Sequence, residues 1–89
     1  MKRFRIPSEV HVREFDGELV ILDMARGDYF GINEVGARFW AELERHGGSF
    51  DEAVSACAPH YDVERATLDA DLLELVKELT QRGLLEELP

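Results

Sequence analysis

Asp16-Gly17 constrains the fold of this chain more than any other feature. The pair stands between the alternating run Val10-His11-Val12-Arg13 and the apolar run Leu19-Val20-Ile21-Leu22, which predicts a β-hairpin closed by a two-residue type I′ turn. Such a turn sets the register, placing Phe15 opposite Glu18 and Val12 opposite Ile21. One face of the hairpin then collects Val10, Val12, Leu19 and Ile21. The other collects Phe15, Val20, Leu22 and Met24, so the second strand is apolar on both sides, is expected at the centre of its sheet, and both faces call for cover.

Ala25-Arg26-Gly27 supplies the next turn, with Gly27 free to take a left-handed conformation, and Asp28-Tyr29-Phe30-Gly31-Ile32 returns as a third strand. Gly31 has no side chain to pack. It marks a bend into the following helix, a close approach of another backbone, or both. Lying at the edge of a small sheet, Asp28 to Ile32 is expected to leave main-chain donors and acceptors open to another chain.

Helical signals follow. Asn33 is an N-cap, and Gly36, Phe39, Trp40 and Leu43 carry the i, i+3, i+4, i+7 spacing of a buried stripe before Gly47-Gly48 stops the helix. Ser49 and Glu52 form a capping box for a second helix through Ala53, Val54, Ala56 and Cys57, closed by Pro59. Asp62 is the expected cap of a third helix from about Val63 to Arg82, ended by Gly83. On that helix Leu68, Leu72, Leu75, Val76 and Leu79 make the core stripe, while Asp71, Glu74, Glu78 and Arg82 form the solvated side. Ala66, Ala70 and Leu73 fall outside the stripe, beside Lys77 and Thr80, as a groove wall or as a second buried side. Leu84, Leu85 and Leu88 are expected to fold back onto the core. At the other end, residues 1–8 read as an extended arm whose Lys2, Arg3 and Arg5 are solubilising.

The result is an α+β domain spanning residues 1–89: a three-stranded antiparallel sheet followed by three helices in winged helix-turn-helix order. With 89 residues the core is thin. A net charge of -9 argues against nucleic acid, whose affinity comes from Lys and Arg displacing counterions, and suits a basic partner. No apolar run reaches the length of a membrane span, and MKRFRIPSEV lacks the apolar centre of a secretory signal, so a cytoplasmic protein is expected. The one cysteine, Cys57, cannot form an internal disulfide.

Chemistry is hard to find in the side chains. Cys57 and His60 have C-x-x-H spacing, with His46 upstream, but a structural metal site needs more ligands and Cys57 falls on the buried side of its helix. There is no orienting third group or glycine-rich loop for a nucleophile, and no P-loop, G-x-G-x-x-G or H-E-x-x-H. No enzyme activity, metal or cofactor is expected. Glu74, Glu78, Glu86 and Glu87 read as a solvated acidic face able to meet a basic peptide.

Several of these residues also carry a family likeness. Leu19-Val20-Ile21-Leu22-Asp23, then Gly27-Asp28-Tyr29-Phe30-Gly31-Ile32-Asn33, Gly36, Phe39-Trp40 and the terminal Gly83-Leu84-Leu85 resemble the PqqD-like family, and within it the stand-alone leader-recognition proteins of lasso-peptide biosynthesis. The resemblance implies a non-catalytic recognition element. It would bind the leader of a ribosomally made precursor peptide as an extra strand on Asp28, Tyr29, Phe30, Gly31 and Ile32, against a cleft wall drawn from Ala66, Ala70, Leu73 and Lys77. The bound precursor would be presented to a leader peptidase and a cyclase. Two alternatives share the outline: a PqqD-type peptide chaperone for a radical enzyme, and a winged-helix DNA-binding protein. The second would have to read a groove with Glu64, Asp69, Asp71, Glu74 and Glu78 against Arg65, Lys77 and Arg82, which is the wrong sign.

Overall fold

The computed structural model describes residues 2–16 and 18–89. In chain order the elements are β1 (Phe4–Arg5), β2 (Val10–Phe15), β3 (Glu18–Asp23), β4 (Asp28–Ile32), α1 (Glu34–Arg45), α2 (Phe50–Cys57), a 3-10 turn (Ala58–His60), α3 (Arg65–Gln81) and β5 (Glu86–Glu87). The expected third strand is therefore β4. It forms one edge of an antiparallel sheet of order β2-β3-β4, with the doubly apolar β3 at the centre.

The hairpin register is the one that the Asp16-Gly17 turn dictates, with Phe15 opposite Glu18 and Val12 opposite Ile21. Asp16 has φ 51°, in the left-handed region a type I′ turn requires at its first position. Gly17, the second position of that turn, lies outside the described residues. The next turn has Gly27 at φ 78° and is closed by a group not expected to act there. Asp23 is buried, and its Oδ1 accepts the N–H of Ala25 at 3.0 Å and of Arg26 at 3.2 Å.

Helices cover one face of the sheet only. Ile21 and Ile32 are buried there beneath Phe39, Trp40 and Leu43 of α1, with Val10, Val12, Leu19 and Phe30 packed at the margin of the same core. On the outer face Phe15 is 61% and Tyr29 74% exposed, so the expectation that both faces are covered is corrected. Three helices supply one layer, and among the described residues no element remains to cover the second face.

Capping signals set two helix starts. Asn33 Oδ1 accepts Gly36 N–H at 3.0 Å, and Ser49 Oγ accepts Glu52 N–H at 3.3 Å. The start of α3 differs from expectation: the cap position is Glu64, without a side-chain bond, and Asp62 lies outside the helix. The 3-10 turn is followed by an extended Tyr61, which delays the helix. Arg65 then pins the first turn, donating to Ser55 Oγ on α2 and to Asp69 Oδ1, both at 3.1 Å.

The terminal segments form a small sheet of their own. Phe4 pairs with Glu87 and Arg5 with Glu86, while Arg3 bridges to Ser49. Phe4 is buried, and Gly48 makes room for it: at φ 89°, a Cβ on Gly48 would lie 1.9 Å from the Phe4 carbonyl oxygen. The basic residues of this segment have defined partners and are more than solubilising. Arg3 Nη1 donates to the Gly47 carbonyl at 2.8 Å, Lys2 lies 3.6 Å from Glu87, and Arg5 pairs with Glu86. Leu84 and Leu85 are buried as expected, whereas Leu88 is 37% exposed.

Candidate functional site: the open edge of β4 and its cleft

An antiparallel ladder alternates hydrogen-bonded and non-hydrogen-bonded pairs. The two-residue loop makes Phe15·Glu18 a bonded pair, and hence Arg13·Val20 and His11·Leu22 as well. The bond from Met24 N–H to the Glu9 carbonyl at 2.9 Å continues this series. Leu19, Ile21 and Asp23 therefore aim their main-chain groups at β4, where they meet Ile32, Phe30 and Asp28. Tyr29 and Gly31 are left pointing outward. Of the five residues expected at the edge, these two offer N–H and C=O groups to an added strand, while Phe30 and Ile32 turn their side chains to the helix side.

The opposite edge, β2, is less open. Val10 N–H is already bonded to the Pro7 carbonyl at 3.0 Å, and the strand carries Arg13 and Glu14.

Beside β4 lies a cleft of about 420 Å³, lined by Phe30, Gly31, Ile32, Asn33, Val35 and Gly36 on one side and by Asp71, Leu72 and Leu75 of α3 on the other. Two contacts show how α3 runs along it. The Arg82 guanidinium carbon sits 4.7 Å from the centroid of the Phe30 ring, and Leu75 Cδ2 would be 3.1 Å from a Cβ on Gly36. The helix thus passes antiparallel to β4, its C-terminal end at Phe30 and the Asp71 turn toward the start of α1. Gly36 lets Leu75 approach closely, which explains a glycine in a stripe of large residues. Leu75 is half-buried, not part of the sealed core.

The other residues expected at the wall lie elsewhere. Leu73 and Lys77, with Val76, Thr80 and Phe4, line a separate depression of about 250 Å³ beneath the N-terminal strand. Ala66 and Ala70 are exposed and line neither depression. The helical wheel has two shoulders beside its core stripe. The one facing the sheet carries Asp71, Leu75 and Arg82, and the expected wall is on the other. Asp28, paired with Asp23, is at the far end of the strand from the cleft.

Cys57 is fully buried, and burial pushes its thiol pKa above its ordinary value, with the Glu42 carboxylate adding to the rise and Arg38 opposing it. His60 is exposed and lies 3.5 Å through Nε2 from Arg38 Nη1. Among the described residues no group of three or more His, Cys, Asp or Glu is placed to hold a metal ion, and no helix is long and apolar enough to cross a membrane.

Residues 18–85 match the family model described as coenzyme PQQ synthesis protein D (PqqD). No curated protein matches the chain. Two solved structures are similar to it. One, described as TbiB1 in complex with the TbiA(beta) leader peptide, is 36% identical with a TM-score of 0.83, over 92% of this chain and 94% of that one. The other, described as lasso peptide synthetase B1 complexed with the leader peptide, is 30% identical with a TM-score of 0.80, over 98% of this chain and 99% of that one.

Proposed function

The chain belongs to the PqqD family, and from that membership and its open sheet edge we propose that it binds the leader segment of a ribosomally made precursor peptide. The leader adds as a strand to β4, exchanging main-chain bonds with Tyr29 and Gly31. Its alternate side chains enter the cleft between Phe30, Ile32 and the Asp71–Leu75 turn of α3. Main-chain bonds provide affinity that tolerates sequence change, and the cleft provides selectivity. The protein itself carries out no covalent step. It works in the cytoplasm of its host and presents the precursor to a leader peptidase and a cyclase in lasso-peptide maturation.

The observation that carries this reading is the pairing of two uncommitted residues, Tyr29 and Gly31, with a cleft of apolar and polar side chains directly beside them. Titration of the protein with a labelled synthetic peptide covering the leader of its cognate precursor, followed by anisotropy, tests it. Saturable binding is expected, weakened by N-methylation of the peptide amides that face Tyr29 and Gly31 and unaffected at the alternate amides. A leader that does not bind, or one indifferent to N-methylation at every position, overturns the reading or its strand-addition geometry respectively.

A further inference from the structure

One charge lines the cleft, among mostly apolar side chains and the amide of Asn33. Asp71 is the single ionisable residue in its lining, and among the described residues no hydrogen bond or ion pair engages its carboxylate. Its neighbours one turn away on α3 are Thr67, Leu68, Glu74 and Leu75, none of them cationic. The nearest basic residue along this side of the helix, Arg82, lies at the Phe30 end and is paired with Glu78 at 3.2 Å. A chain of net charge -9 adds a negative background to this end of the groove.

Position along the cleft follows from the ladder. A strand that bonds Tyr29 and Gly31 directs the side chains opposite Phe30 and Ile32 into the cleft, two residues apart. Because α3 is antiparallel to β4, the side chain opposite Phe30 meets the Arg82 end and the one opposite Ile32 meets the Asp71 end. A lysine or arginine there lays its methylene stem over Leu75 and Ile32 and brings its charge to the carboxylate. An acidic residue at the same place faces repulsion.

We propose that Asp71 is a specificity determinant of the cleft, selecting an extended peptide with a lysine or arginine at the position opposite Ile32. This rests on the peptide-binding reading above.

A displayed library of random peptides, selected in parallel on the wild-type protein and on the Asp71→Asn and Asp71→Lys variants, tests it. Asp71 is exposed, so both variants are expected to fold, and circular dichroism checks this. Wild-type selection should enrich a basic residue at one fixed position, Asp71→Asn should lose that preference, and Asp71→Lys should replace it with an acidic one. Synthetic copies of a selected peptide with Lys or Gln at that position should differ by about two- to fivefold in Kd at low salt, as expected of a solvent-accessible ion pair, and converge at high salt. Peptides that bind without a charge preference, or with the same preference on Asp71→Asn, overturn the role of Asp71 and leave peptide binding standing. A folded wild-type protein that selects no peptide overturns both.

Discussion

Arg82 stacks on Phe30: its guanidinium carbon is 4.7 Å from the ring centroid, and Glu78 holds the same group from behind at 3.2 Å. The contact ties the last turn of α3 to the middle of the edge strand. Half-exposed cation–π contacts contribute about 0.5–1 kcal/mol. Arg82→Ala should lower unfolding stability by about that amount in a urea titration, and Arg82→Lys should recover part of it. A larger effect on hydrogen exchange at Phe30 than at Val12 would show that the loss is local to β4.

Gly48 and Phe4 make a second such joint, at the terminal sheet. Phe4 N–H donates to the Gly48 carbonyl at 2.8 Å, and Phe50 N–H to the Lys2 carbonyl at 3.0 Å. A methyl group on Gly48 collides with the Phe4 carbonyl and sits at a φ of 89°, so Gly48→Ala must displace the strand. A cost of about 1–3 kcal/mol from backbone strain alone is expected, with more from the exposure of Phe4. Thermal melting should show the loss, together with early exchange of the Phe4 and Phe50 amides. Gly31→Ala is the control: nothing lies within 4 Å of its added Cβ, and stability should hold or rise.

The contrast between these two glycines shows what was legible in the residues. The β2-β3 register could be read because Asp16-Gly17 fixes it locally, and Asn33 and Ser49 announce their helices through their own side chains. The β1-β5 pairing could not. Each strand is two residues long, too short for a period, and Phe4 meets Glu87 only after the whole chain has closed. The site was half legible for a similar reason. A strand edge follows from order along the chain, but a wheel for α3 shows two shoulders and not which faces the sheet. Gly36 was the available signal, since a glycine in a stripe with Phe39, Trp40 and Leu43 implies close approach of a neighbour, here Leu75.

Cys57 gives the fold a dependence on alkaline pH. Burial raises its thiol pKa in the folded state, so the folded protein holds the proton more tightly than the unfolded chain. The stabilisation is complete below the unfolded pKa, about 8.5 for a free cysteine, and is lost as pH rises from there through the folded value. Unfolding free energy should therefore decline above that pH, and Cys57→Ala, less stable at neutral pH because it leaves a small cavity, should decline less steeply. Native protein should also react with a thiol reagent only at the rate of unfolding or local opening.

Leu75 and Leu73 sit on opposite shoulders of α3, one in the cleft beside β4 and one beneath Phe4, and the same substitution at each separates the two depressions. Both are half-buried, so arginine at either site can direct its charged end to water, and some loss of stability is expected at each. Only Leu75→Arg places that bulk and charge where the proposed leader strand turns its side chains. It should weaken leader binding by about tenfold or more, the effect of losing a packed anchor, while Leu73→Arg leaves Kd within about twofold. Far-ultraviolet circular dichroism and a urea titration on each variant separate binding from folding. The opposite result, binding lost at Leu73→Arg and retained at Leu75→Arg in folded proteins, would move the peptide from the β4 cleft to the depression lined by Phe4, Lys77 and Thr80.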